Sequence, residues 1–261
     1  MKFPVYHVDA FTQQVFGGNP AAVCPLESWL SVETMQAIAA EHNLSETAFF
    51  VATAPGHYQL RWFTPQVEVD LCGHATLASA FVIFSSMAPQ LDRLTFETAS
   101  GVLKVERRGT LLVMDFPSRR PHLAALSPLL GQALGREPRE TWKSRDYLLL
   151  FEDEETIRSL QPDFDALKRI PDTLGFIATA PGDTVDFVSR FFAPGAGIAE
   201  DPVTGSAHST LIPFWAERLG RTTLHARQIS SRSSELFCEN LIDRVLIGGH
   251  CVFFSQGMIT L

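Results

Sequence analysis

The chain has 261 residues, 46% apolar and 19% charged, with 21 Lys and Arg against 29 Asp and Glu for a net charge of −8. That length carries one large domain or two compact ones, with a core that needs no disulfide or metal. The composition excludes a disordered chain and a coiled coil, and the acidic balance excludes a general nucleic-acid binder.

In chain order, Met1 to His7 lacks a long apolar run and a small-residue cleavage site, so no secretory signal is expected. Phe3 to Asp9 alternates and predicts a strand. Gly17-Gly18-Asn19-Pro20 reads as a turn, with the wrong spacing for a phosphate loop. Ser31 to His42 predicts a helix, with Ser31 at its start, Glu33 in the first turn and Val32, Met35, Ile38 and Ala39 at helical spacing. Ser45 to Ala52 and Tyr58 to Thr64 predict strands. Gly73 to Ser86 is apolar nearly all round and predicts a helix buried on all sides. Its apolar stretch from Leu77 to Phe84 falls short of the roughly 20 residues that span a bilayer. Arg93 to Thr98, Val102 to Arg107 and Leu111 to Phe116 predict three more strands.

Residues 117–145, rich in Pro, Arg and Ser, read as containing a connection. Beyond it a similar order returns. Tyr147 to Phe151 predicts a strand, and helical stretches lie near Glu154 to Leu160 and Asp163 to Arg169. Leu174 to Thr179 and Val185 to Phe192 predict strands, Gly205 to Leu219 a second mostly apolar helix, and strands follow to the end.

The strongest organisational signal is a repeat. Arg61-Trp62-Phe63-Thr64-Pro65 returns as Arg190-Phe191-Phe192-Ala193-Pro194, about half a chain later. Asp70 precedes Cys72-Gly73-His74-Ala75, and Asp201 precedes Thr204-Gly205-Ser206-Ala207, at nearly the same offset. The period far exceeds the roughly 20–50 residues of solenoid repeats. Two halves of similar fold follow, each with several strands around one buried helix. The expected domains are 1–117 and 118–261, with the last strand open to membership of the first.

Both buried helices open on glycine and small polar residues. A helix start presents unpaired backbone N–H groups and partial positive charge, which suits an anion. If a pseudo-twofold axis relates the halves, both starts face one cleft and hold a small carboxylate there. The other reading keeps both glycines structural. Glu46 begins an apolar strand on the same face as Ala48 and Phe50; on a buried face, desolvation raises its pKa and fits it to carry a proton. On an exposed face it is a solvated surface carboxylate. His74, beside Asp70, either moves protons, binds a carboxylate or is a satisfied structural histidine. Asp201 either accepts from a substrate amine or caps the second helix, and Ser206 either donates to a carboxylate or caps. Cys72 is either a thiolate acid/base at a helix start or a buried inert thiol. The four cysteines, at 24, 72, 238 and 251, have no C-x-x-C spacing and read as reduced thiols in a cytoplasm. Dinucleotide, nucleotide-loop, zinc-protease and serine-hydrolase motifs are absent from the sequence, so no cofactor or metal site is expected.

Four ordered blocks resemble the phenazine-biosynthesis PhzF-like family. They are Phe11-Thr12 with Phe16-Gly17-Gly18-Asn19-Pro20-Ala21-Ala22-Val23, then Asn43 to Phe49, then Asp70 to Ala78, then Glu200 to Ala207. The resemblance implies the α+β fold of the diaminopimelate epimerase superfamily: two similar domains, each a curved, barrel-like mixed sheet around a central helix, with the site between them. It implies a cofactor-free isomerase that moves a proton on a small carboxylate-bearing, amino-acid-like or cyclic substrate, often as a homodimer. By carry-over Glu46 is the main acid/base, with His74 and Asp201 assisting. Ser206, Asn19, Cys72 and the N–H groups of Gly73 and Gly205 bind substrate. Two departures stand out. Epimerase relatives place a cysteine before each helix; Cys72 fills the first place, but Pro202 stands at the second. The family's late Gly-Arg-Pro-Ser element is replaced by Gln228 to Ser234. An amino-acid racemase using Cys72, or a non-catalytic small-molecule binder, are the alternatives.

Overall fold

The computed structural model describes residues 1–125, 128–173 and 175–261. They form two compact units, residues 1–115 with 248–261, and residues 116–247.

In chain order the first unit begins with β1 (Lys2–Ala10), β2 (Asn19–Leu26), α1 (Val32–His42), β3 (Glu46–Ala54), β4 (His57–Phe63) and β5 (Glu68–Val69). Then come α2 (Gly73–Val82), β6 (Arg93–Thr98), β7 (Gly101–Arg108) and β8 (Leu111–Pro117), on which the chain leaves the unit. The second unit has β9 (His122–Leu123), α3 (Pro128–Leu134), β10 (Glu140–Lys143), β11 (Tyr147–Leu150), α4 (Glu154–Ser159), α5 (Phe164–Lys168), β12 (Phe176–Pro181), β13 (Phe187–Ala193) and β14 (Ile198–Asp201). It continues with α6 (Gly205–Leu219), β15 (Thr223–Gln228), β16 (Ser234–Asn240) and β17 (Arg244–Gly249). Finally β18 (Cys251–Thr260) returns to the first unit and pairs antiparallel along all of β1. Residues 248–261 group with the first unit.

The strand pairings repeat. In the first unit β1 and β2 are antiparallel, β2 and β3 parallel, β3 and β4 antiparallel. β4 then pairs antiparallel with short β5 and parallel with β6, and β6 pairs antiparallel with β7. The second unit follows the same series from β10 to β16. Each unit is thus a mixed sheet, and among the described pairings neither sheet closes on itself. The R-x-F-x-P repeat has a structural cause. Arg61 on β4 grips Glu68 on β5 through Nε and Nη2, each at 2.6 Å. Arg190 on β13 grips Glu200 on β14 in the same way, at 2.7 and 2.8 Å. Each fork fixes the short strand that leads into a buried helix.

Every residue of α2 from His74 to Ala80 is buried. Its hydroxyls are satisfied within the helix: Thr76 donates to the Cys72 carbonyl and Ser79 to that of Ala75. The expected helix to Ser86 instead changes pitch at Ile83, where a π-helical turn runs to Met87. In α6, Pro213 has no N–H to give the Ser209 carbonyl. The Arg119 N–H takes that place at 2.9 Å and fastens the 118–121 segment to the helix.

Residues 117–145 are not a bare connection. Leu130, Ala133 and Leu134 pack into the second unit's core with Leu149, Ile157 and Phe176. The periodic apolar residues of α3 supply that contact inside a segment whose composition reads as a loop. Leu174, expected to open a strand, lies outside the described residues; β12 begins at Phe176.

Candidate active site

Glu46 owes its place to the end of α1. Asn43 closes that helix in the left-handed conformation, φ 49°, with its N–H on the Ala39 carbonyl at 3.1 Å. The chain turns and enters β3 at Glu46, opposite Ala21 of β2. Phe49 of this strand packs on the side of α1. Glu46 instead meets α2, where His74 Nε2 lies 3.2 Å from Oε2, with side-chain exposures of 5% and 12%.

Asn19 enters through a tight turn. Gly18 adopts φ +59°, and a Cβ there would sit 2.0 Å from the Ala10 carbonyl oxygen, so only glycine fits. The turn delivers Asn19 into β2 opposite Ala10, fully buried. Its amide Nδ2 lies 3.1 Å from His74 Nδ1. An amide nitrogen only donates, so Nδ1 is the acceptor and the neutral ring carries its hydrogen on Nε2. Cys72 Sγ also reaches Nδ1, at 3.5 Å, which suits a thiol donating to it. Burial drives the His74 pKa down to about 3, because desolvation penalises the charged ring. The result is a neutral imidazole whose Nε2 lies 3.2 Å from a nearly buried carboxylate oxygen, without hydrogen-bond geometry between those two atoms.

The site residues thus assemble in two places. Glu46, His74, Cys72 and Asn19 gather in the first unit. Asn19, expected on the substrate, is fully buried and pairs with the His74 ring. Asp70 stays outside this group: it is exposed, and its carbonyl accepts from Ser100 Oγ at 2.7 Å.

In the second unit Asp201, Gly205 and Ser206 gather at the start of α6. Asp201 Oδ2 accepts from Thr204 Oγ1 at 2.6 Å. Gln228, fully buried, accepts from the Thr204 N–H at 2.9 Å and donates to the Asp201 carbonyl at 2.7 Å. Ser206 Oγ receives Arg145 Nη2 at 3.0 Å, and Arg145 is paired with buried Asp146 at 2.8 Å. In the sequence Gln228 falls in the segment that departs from the family's pattern, and Arg145 in the connection. A signal for Gln228 existed: β15 buries every second residue, Leu224, Ala226 and then Gln228, and a buried amide needs partners. Arg145 had no such signal.

The fold is a duplicated mixed sheet with a carboxylate–imidazole pair at one helix start, and relatives matching along the whole chain bear the name isomerase. The chain belongs to the phenazine biosynthesis-like protein family, whose model matches residues 8–257. A Pseudomonas aeruginosa protein named an uncharacterized isomerase is 50% identical over 261 residues, covering 100% of both chains. The human phenazine biosynthesis-like domain-containing protein is 39% identical, again over the whole of both. Among solved structures, a phenazine biosynthesis protein of the PhzF family from Enterococcus faecalis is 49% identical, with TM-score 0.98 and complete coverage of both chains. A hydroxyproline epimerase from Agrobacterium vitis shares the fold alone, at 10% identity and TM-score 0.64, over 100% of this chain and 93% of that one. Among the described residues, no helix is long and apolar enough to cross a membrane.

Proposed function

We propose that this isomerase moves a proton on a small carboxylate-bearing substrate, amino-acid-like or cyclic, with Glu46 as general acid/base. The observation that carries the reading is the 3.2 Å approach of His74 Nε2 to Glu46 Oε2 in buried surroundings. A carboxylate there removes a proton from carbon and returns it elsewhere, with the neutral His74 ring beside it. N–H groups at the two helix starts, at Gly73 and Gly205, stabilise the negative charge that develops on the substrate. Ser206 and Asp201 take the substrate's carboxylate and polar groups. A cytoplasmic homodimer is part of the same reading. It is supported by four cysteines outside any disulfide and by the family resemblance.

The test is deuterium uptake from heavy water into candidate carboxylate substrates. Glu46→Gln is expected to lower the exchange rate at least a hundredfold, within the range general acid–base groups supply. Undiminished exchange overturns the assignment. One observation favours a second reading, a racemase working through Cys72: its sulfur touches His74 Nδ1 at 3.5 Å. Loss of activity in Cys72→Ala with Glu46→Gln tolerated selects it.

A further inference from the structure

Glu46, Cys72 and His74 are, among the described residues, the one grouping of three metal-ligating side chains whose donor atoms all lie within 4.8 Å of one another. We infer that this triad binds a thiophilic divalent cation such as Zn²⁺ or Cd²⁺, which occupies the proton-transfer pair and blocks it.

Sulfur, nitrogen and carboxylate oxygen are the donors that zinc takes, and three protein ligands leave a fourth tetrahedral position open. Bonds of about 2.0–2.3 Å place tetrahedral donors roughly 3.3–3.8 Å apart. The three donors already lie within 4.8 Å of one another; Glu46 stands 3.2 Å from Nε2, and Cys72, now 3.5 Å from Nδ1, swings toward the Nε2 side to complete the set. Charge favours the ion as well. One carboxylate and one thiolate neutralise a divalent cation, so the buried site gains no net charge. A neutral imidazole at His74 has a lone pair to give.

The protons balance. The Cys72 thiol proton leaves to solvent as the sulfur ligates. Ligation at Nε2 transfers the ring hydrogen to Nδ1 with no net loss. Asn19, its amide turned over, then accepts that hydrogen through Oδ1, the outer-layer contact that metal-bound histidines make. No electron changes hands.

The test is titration of the full chain with Cd²⁺ in the absence of substrate, following the thiolate-to-metal charge-transfer absorption. The reading predicts one equivalent bound, released by EDTA. The absorption is lost in Cys72→Ser, and affinity falls at least tenfold in Glu46→Gln. It survives in Cys24→Ala, Cys238→Ala and Cys251→Ala, which change the three other thiols. Cadmium NMR of the wild-type protein reports the donor set directly, so the outcome does not depend on how any variant folds; a single-sulfur environment is expected. Absence of stoichiometric binding, absorption persisting in Cys72→Ser, or an environment with no sulfur or several sulfurs overturns the site. These readouts involve no turnover, so they stand or fall apart from the assigned reaction.

Discussion

Asn19 presents its amide Nδ2 to His74 Nδ1 at 3.1 Å, and that one contact decides where the imidazole keeps its hydrogen. A ring that accepts at Nδ1 carries its hydrogen on Nε2, the nitrogen 3.2 Å from Glu46 Oε2. Asn19→Leu removes the donor and frees the ring to adopt the other tautomer. Turnover is expected to fall about ten- to a hundredfold, the usual cost of losing a group that orients a functional histidine, with a smaller change in KM. Nitrogen NMR of the His74 ring checks the cause, because its shifts distinguish the tautomers. A variant with lost activity and an unchanged Nε2–H tautomer sinks the orienting role.

The two arginine forks should differ in energy although they share a geometry. Arg190 is 13% exposed and also donates to the carbonyls of Ile157 and Leu160. Removing it leaves Glu200 and two carbonyls unpaired in poorly solvated surroundings. Arg61 is 29% exposed, and solvent screens its pair with Glu68. Arg190→Met is expected to cost about 3 kcal/mol and Arg61→Met about 1 kcal/mol or less. Urea unfolding of both variants decides, and equal losses contradict the assignment of the difference to burial.

Gln228 ties the turn before α6 together from both ends of its amide. Gln228→Leu leaves the Thr204 N–H and the Asp201 carbonyl without those partners, at about 1–3 kcal/mol for each unsatisfied buried group. Catalytic efficiency should drop with stability, because Asp201 is held by the same turn. Gln228→Glu keeps the acceptor for the Thr204 N–H but loses the donor to Asp201. It should recover part of the stability measured by thermal unfolding. A Gln228→Leu protein as stable as the parent removes this brace from the account.

His208 sets a pH dependence in the second unit. It is buried, donates Nδ1–H to the Thr204 carbonyl at 2.8 Å, and has its pKa lowered to about 4 by desolvation. The unfolded chain therefore binds this proton more readily than the folded one. Stability from this group is complete above its ordinary value of 6.5 and is lost as pH falls from there toward about 4. The slope from one such group is at most about 1.4 kcal/mol per pH unit. His208→Gln should flatten the curve of unfolding free energy against pH in that window. A slope identical to that of the parent protein excludes His208 as a source.

Much of this was legible from residue patterns, and the omissions have causes. Ser31 and the apolar spacing after it place α1 correctly, and Gly205 to Leu219 matches α6 end for end. The paired R-x-F-x-P segments reveal the duplication because each arginine serves the same strand junction. β2 escapes notice because Pro20 and Pro25 argue against a central strand, whereas β1 and β3 hold it on both sides. β5 and β14 are too short to show a period, and α3 hides among prolines and arginines. At the site, alternation places Glu46 beside Ala48 but says nothing of His74's tautomer. That depends on Asn19, far away in sequence and brought near only by a glycine turn.

The pairing of β18 with β1 bears on how the protein emerges from the ribosome. β1 must wait for β18: until Cys251 to Thr260 are out, one edge of β1 has no partner. The second unit, wholly contained in residues 116–247, is complete sooner. The carboxylate–imidazole pair is therefore built into the half of the molecule that finishes last, and a nascent chain stalled before β18 would carry a settled second unit beside an unfinished first one.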